Sequence, residues 1–226
     1  MSNWSAAFAW LTDAANWVGP QGIWTRVGQH LTITVAAMAV AGLIALPTGI
    51  VIGHTRRGAA LIGGLAGAAR AVPTLGLLTL FGLGLGIGLR APLLALVVLA
   101  IPSLLAGAYA GIQAVDPAVV DAARAIGLRE RHVIWRVELP LAAPVIIGGV
   151  RAATLQVVAT ATLAAYIADQ GLGRYLFAGL KTRDYGQMLG GALVVILLAL
   201  MIEVALALTQ RVVTTKVTHP QLTGAR

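Results

Sequence analysis

Five apolar segments, at residues 28–53, 61–88, 91–113, 141–167 and 187–210, are each long enough to cross a bilayer, which takes a helix of about 20 residues. Hydrocarbon offers no water to a bare backbone, so such a segment must coil into a helix that satisfies its own N–H and C=O groups. Composition agrees. With 58% hydrophobic and 11% charged residues, and a mean hydropathy of +0.87, the chain has too little polar surface to coat a soluble globule. The expected fold class is an all-α integral membrane protein with about five transmembrane helices. The formal charge of +8 does not point to nucleic acid, because the basic residues occupy short loops between apolar runs rather than one interleaved patch. Membrane topology and anionic lipid account for them better. Cysteine is absent, which excludes disulfides and thiolate metal sites. Residues 1–18 carry no basic n-region and are interrupted by Asn3, Thr12, Asp13 and Asn16, so no cleavable signal peptide is expected.

Five crossings put the two termini on opposite sides. Arg56, Arg57, Arg124, Arg129, Arg131, Arg136, Arg211, Lys216 and Arg226 fall on one side, and Arg26, Arg90, Arg174, Lys181 and Arg183 on the other. The richer side is cytoplasmic by the positive-inside rule. The expected division is an outer interfacial segment at 1–27, a transmembrane domain at 28–211 with a cytoplasmic loop at 114–140, and a cytoplasmic tail at 212–226. In the first of these, Trp10, Trp17 and Trp24 recur every seven residues beside Trp4 and Phe8. That suits a helix lying in the headgroup layer, and is favoured over an aromatic cluster holding a quaternary ammonium.

Glycine is unevenly placed. Gly63 and Gly67, Gly107 and Gly111, and Gly186 and Gly190 form small-xxx-small pairs, which let helix backbones approach closely. Gly82, Gly84, Gly86 and Gly88 alternate, and predict that the second span unwinds toward its outer end. Pro47, Pro73 and Pro102 fall inside spans, where each removes a helical hydrogen bond.

The loop between the third and fourth spans predicts two short helices. Asp116 is a good N-cap with Pro117 at the first helical position, so a helix runs from there to Ile126, and Gly127 ends it in the left-handed conformation. Val119, Ala123 and Ile126 share one face, with Asp121 and Arg124 on another. A second helix at about 129–138 presents Val133, Ile134 and Val137, with Trp135 beside them, before Pro140 enters the next span. A small apolar ridge flanked by charge suits a helix that seats in a groove of a partner.

The spacing Asp121-Ala122-Ala123, three residues, Gly127, nine residues, Val137-Glu138-Leu139-Pro140 resembles the EAA motif of ABC importer permeases, with Asp for Glu and Val for Ile. The resemblance implies a type I, MetI-like permease. Its ATPase-docking residues would be Asp121, Ala122, Ala123, Arg124, Gly127, Arg129, Trp135, Glu138, Leu139 and Pro140. Over roughly 28–211 the chain looks like the osmoprotectant branch of that superfamily, which imports glycine betaine, carnitine, choline or similar solutes. Its landmarks are Ala71-Val72-Pro73-Thr74-Leu75, Ile101-Pro102-Ser103, Val115-Asp116-Pro117, Gly149-Val150-Arg151, Ala159-Thr160-Ala161-Thr162 and Gly171-Leu172-Gly173. Asp169-Gln170 stands where that pattern has small residues. The resemblance implies two ABC ATPase subunits carrying ATP and Mg, a second permease as homodimer or paralogous heterodimer, and an extracytoplasmic solute-binding protein, all at a bacterial cytoplasmic membrane. The chain itself has no Gly-x4-Gly-Lys-Ser/Thr loop to cradle phosphates. His30, His54, His132 and His219 are scattered without catalytic or metal-ligand spacing, so neither a catalytic residue nor a directly bound cofactor is expected.

Polar residues inside spans divide into two groups. Thr74, Thr79, Thr154, Gln156, Thr160 and Thr162 either hydrate a solute in the path or bond between helices, and interhelical bonding is favoured. Thr74, Gln156, Thr160 and Thr162 are the translocation-path candidates. Arg70, Arg151 and Glu203 are costly in hydrocarbon and must pair, line water or snorkel. Arg151 lies about 15 Å along its span from the cytoplasmic end, and is expected to brace the structure by reaching toward the loop or to backbone. The alternatives are a methionine or other amino-acid ABC permease, an ATP-independent secondary transporter using Glu203, and a membrane scaffold. Because the chain has no cysteine, single replacements test the topology. An impermeant thiol reagent outside intact cells is expected to label Ser2→Cys, and to reach Thr214→Cys only after the inner face is opened.

Overall fold

Every regular element among the described residues is helical, as a backbone set in hydrocarbon requires. The computed structural model describes residues 2–58, 60, 62–64, 67 and 71–218. Arg70, His219, Arg226 and part of the second expected span lie outside them. Helix α1 (Asn3–Thr12) starts at Ser2, whose hydroxyl accepts from the Ser5 N–H at 3.3 Å. Then come α2 (Ile23–Thr55), α3 (Thr74–Leu85), α4 (Arg90–Gln113) and α5 (Pro117–Ala125). Helix α6 (Glu130–Val133) continues through a π-helical turn, Ile134–Glu138, into α7 (Leu139–Thr160). A 3-10 turn (Ala161–Ala164) leads to α8 (Ala165–Ala168), followed by α9 (Gly173–Thr182) and α10 (Tyr185–Thr218).

Among the described residues four helical stretches are long and apolar enough to cross a membrane: α2, α4, residues Glu130–Ala168 and α10. The second expected span does not run as one helix. Pro73 sits in an extended conformation ahead of Thr74, because its ring crowds the residue before it out of the helical region and it has no N–H to bond backwards. Beyond it, α3 has only 12 residues. Its outer end unwinds as the alternating glycines predict, with φ of +80° at Gly86 and +139° at Gly88, although Gly82 and Gly84 remain helical. Pro47 and Pro102 stay inside continuous helices, as does Pro144. The first span begins at Ile23 rather than 28, which places Arg26 within the helix.

The chain forms two compact units. One gathers residues 1–40, 72–100 and 154–202. Here Gly186 and Gly190 of α10 admit α1. A Cβ on Gly186 would meet Ala6 at 3.0 Å, and one on Gly190 would run into the Trp10 ring. Trp10 also packs edge-on against Tyr175 with ring centroids 5.0 Å apart, and Trp17 donates its indole N–H to the Leu11 carbonyl at 2.7 Å. The evenly spaced tryptophans therefore divide. Trp10 serves the interior, while Trp4, Phe8 and Trp24 are exposed.

The other unit gathers residues 41–71, 101–153 and 203–226. Its helices meet through small residues. A Cβ on Gly107 would lie 2.7 Å from the Gly149 Cα, and one on Gly111 would lie 2.7 Å from Ile146. Gly49 and Gly53 of α2, another four-residue pair, meet Ala108 and Ile112 of α4 at the same separation. Such contacts replace the hydrophobic drive that lipid removes. Gly149→Val is expected to destabilise the protein by roughly 1–3 kcal/mol, the usual cost of overpacking. Gly84→Ala, with nothing within 4 Å of its added Cβ, is expected to be neutral or slightly stabilising. Thermal unfolding in detergent compares the two.

Candidate functional site

The loop at 114–140 folds by the local rules that its residues suggest. The Asp116 carboxylate accepts from the Ala118 N–H at 2.9 Å, and Pro117 opens α5. Helix α5 ends at Ala125. Gly127 has a φ of +83°, its N–H donates to the Arg124 carbonyl at 2.9 Å, and the Leu128 N–H donates to the Ala123 carbonyl at 3.2 Å. These two bonds form a Schellman close. The second loop helix does not stop at Pro140. It passes through the π-helical turn, where the Leu139 N–H bonds to the Ile134 carbonyl. That wider turn relieves the clash the Pro140 ring would make with the preceding turn.

Faces of the loop differ in part from expectation. Ala123 is buried with Val120 and Val133 in a cluster that includes Ile112, Val115 and Ala142, and Leu139 is half-buried against it. Glu138 is only 4% exposed. Ala123 and Glu138 are therefore turned inward and not presented at the surface, because α5 uses its small-residue side to reach the rest of its own unit. The outward apolar groups are Val119, Ile126 at 80% and Trp135 at 71% exposure. Around them Asp121, Ala122, Arg124, Gly127, Arg129 and Pro140 are exposed.

Charge pairing knits the loop. Arg124 grips Glu130 with two parallel hydrogen bonds, Nε to Oε1 at 3.0 Å and NH2 to Oε2 at 3.1 Å, and reaches Asp121 at 3.3 Å. The Glu130 bond, with the Asp121 carboxylate adding to it, holds the guanidinium charged above its usual range. His54 touches both Glu130 and Glu138. No signal in the sequence joins residue 54 to a loop more than 70 residues away.

Arg151 pairs with Glu203, its Nε donating to Oε2 at 2.8 Å and its NH2 to Oε1. It also donates to the Gln210 amide oxygen at 3.0 Å, and Gln210 donates in turn to the Pro144 carbonyl at 2.9 Å. Arg151 thus pairs with α10 rather than reaching the loop. Pairing also removes Glu203 as a free carboxylate for ion coupling.

The threonines behave more locally than expected. Thr79, Thr160 and Thr162 donate to carbonyls of their own helical turns, at Leu75, Gln156 and Ala159, so these hydroxyl protons do not join helices. Thr79 and Thr162 line two different grooves. Gln156 is exposed on α7, and Thr74 is half-buried at the start of α3.

A buried polar cluster holds the Gly171 loop. Arg26, 2% exposed, donates to the Asp169 carbonyl, to Gln21 and, at 3.1 Å, to Gln29. Gln29 accepts from the Gly171 N–H at 3.0 Å, and the buried His30 ring donates from Nε2 to the Val158 carbonyl at 2.9 Å. Gly171, with a φ of +79°, passes directly over His30. Asp169, itself left-handed at φ +52°, is also held by Arg174 at 2.9 Å, which explains why a small residue is not needed there. Hydropathy hides this cluster because Arg26, Gln29 and His30 fall at the polar start of α2. Their i, i+3, i+4 spacing is the signal that a longer helix would have exposed.

The profile of the family described as binding-protein-dependent transport system inner membrane component matches residues 45–219. The chain belongs to this family. The permease is 35% identical over 186 residues to the choline transport system permease protein OpuBB of Bacillus subtilis (strain 168), an alignment spanning 82% of this chain and 86% of that one. It is 34% identical over 191 residues to the glycine betaine/carnitine/choline transport system permease protein OpuCB of the same organism, spanning 84% and 88%. A chain of the MetNI methionine ABC transporter in an inward-facing conformation shares the fold, with a TM-score of 0.72 at 20% identity over 84% of this chain and 95% of that chain. The protein is thus a multi-pass membrane permease subunit of the type I, MetI-like fold, and the secondary-transporter and scaffold alternatives fall away.

The Arg151 pair yields a sharp expectation. Arg151→Met and Glu203→Met each leave one intramembrane charge unpaired, so each is expected to lower folded yield more than the double replacement does. Size-exclusion profiles of the three variants in detergent measure this.

Proposed function

We propose that this permease imports a quaternary-ammonium compatible solute of the glycine betaine, carnitine or choline class, delivered by an extracytoplasmic binding protein and driven by ATP hydrolysis on two separate ABC ATPase subunits. The observation that carries the reading is identity of about one third, across four fifths of the chain, to permeases named for choline and for glycine betaine, carnitine and choline. Behind a methionine reading stands a shared fold at 20% identity, and a shared fold does not carry substrate. The membrane partner is a second copy or a paralogue. The loop and the tail face the cytoplasm, and residues 1–27 lie at the outer surface.

In this reading the ATPase receives the outward face of the loop: Val119, Asp121, Ala122, Arg124, Ile126, Gly127, Arg129 and Trp135. Ala123 and Leu139 support that face from behind, and Pro140 is exposed beside it. Exposed Ile126 and Trp135 are apolar anchors of the sort that dominate docking energetics, and the pairing of Arg124 with Glu130 holds the two loop helices in one register. Thr74, Gln156, Thr160 and Thr162 remain the path candidates, and the membrane-embedded Arg151 and Glu203 are structural.

Asp121→Lys is expected to break the pairing with Arg124, and Gly127→Val to strain a left-handed turn that a β-branched residue rarely adopts. Both variants should insert normally yet lose co-purifying ATPase and solute uptake. Normal radiolabelled choline or betaine uptake by both would overturn the docking assignment. Uptake of neither solute by the intact transporter, with methionine taken up instead, would overturn the substrate class.

A further inference from the structure

His54, in the last turn of α2, stands between two carboxylates. Its Nε2 lies 3.0 Å from Glu130 Oε2 and its Nδ1 lies 2.6 Å from Glu138 Oε2. The imidazole is 11% exposed, Glu138 5% and Glu130 58%. An ionised carboxylate only accepts hydrogen bonds, and a neutral imidazole has a single N–H. The Nδ1 contact is a hydrogen bond, and an unprotonated Nε2 would turn its lone pair toward a carboxylate oxygen 3.0 Å away, so both contacts are favourable only when the ring carries a proton on each nitrogen. A Glu138 contact as short as 2.6 Å fits a charge-assisted bond.

Placement gives the contact a consequence. Glu130 is the first residue of α6 and Glu138 the last of the π-helical turn, so one ring grips both ends of the second loop helix. Glu130 is also held by Arg124, which shares itself with Asp121. A polar pocket of about 380 Å³ beside the ring is lined by His54, Arg56, Asp121, Arg124 and Glu138, among others, and gives solvent protons a route to it. Glu138 occupies a spacer position between Val137 and Leu139-Pro140 and His54 lies outside that spacing altogether, so the spacing itself demands neither.

We propose that His54 is a positioning residue for energy coupling, a proton-dependent clasp that ties the second loop helix to the end of α2 and releases it when the ring loses its second proton. The proposal rests on the docking reading of the loop.

The test uses the complete transporter in liposomes, scoring solute taken up per ATP hydrolysed against pH on the ATPase side, with ATPase co-purification scored on the same preparations. For the unaltered protein, coupling is expected to fall at least about threefold between about pH 6 and about pH 8.5. Glu138→Gln supplies an amide N–H that a neutral ring nitrogen accepts. It is expected to keep coupling within about twofold at the lower pH and to flatten the profile. His54→Gln is expected to couple poorly throughout. Parallel profiles for the unaltered protein and Glu138→Gln, or full coupling by His54→Gln, would overturn the clasp. If no ATPase co-purifies with the unaltered permease, the docking reading fails instead. The clasp is then decided by nitrogen NMR of the full chain in nanodiscs: two protonated His54 nitrogens in the unaltered protein and one in Glu138→Gln support it, and a singly protonated ring in both refutes it.

Discussion

Hydrocarbon solvates neither a peptide group nor a charge, and most of this structure follows from that. The backbone answers by coiling, which is why the described elements are helices and why Pro47, Pro102 and Pro144 are absorbed within helices rather than ending them. Association between helices cannot draw on the hydrophobic effect when lipid is as apolar as leucine, so close backbone approach takes over. Gly107 against Gly149, and Gly49 and Gly53 against α4, are the clearest cases. The side chains obey the same rule. Arg151 reaches Glu203 and Gln210, Gln210 reaches the Pro144 carbonyl, and the buried Arg26 spreads its hydrogen bonds over Gln21, Gln29 and the Asp169 carbonyl.

The loop at 114–140 lives under the opposite regime. Water satisfies its charges, so exposed pairs such as Arg124 with Asp121 contribute little to stability by themselves. What they do is orient. The fork between Arg124 and Glu130 joins the two loop helices, while Ala123, Val120 and Val133 fasten the loop to its unit through a small apolar core. The loop is thus held from behind by apolar packing, with Ile126 and Trp135 left outward.

Much of this was legible in the sequence where the governing interaction is local. The Asp116 cap, the Pro117 start and the left-handed Gly127 close depend on residues within a few positions of one another, and each is found. The outer unwinding at Gly86 and Gly88 follows for the same reason. Reading failed where an interaction crosses the chain. Helical spacing groups Ala123 with Val119 and Ile126 on one face without saying that a neighbour covers part of it. Hydropathy put Arg26 outside a helix whose polar first turns in fact carry a buried network.

By itself, then, the sequence determined that the chain is a bundle of membrane helices, where most of those helices lie, and that a charged two-helix loop of recognisable spacing interrupts them. Apolar length, caps and turn glycines are short-range properties written in consecutive residues. Only the tertiary structure decided that Arg151 belongs to Glu203, that Gly49 and Gly53 admit α4, and that His54 lies between Glu130 and Glu138. Those pairings join residues 52 to 84 positions apart, or helices far apart in the chain. A charge in sequence carries no mark of its partner until packing has brought the two together.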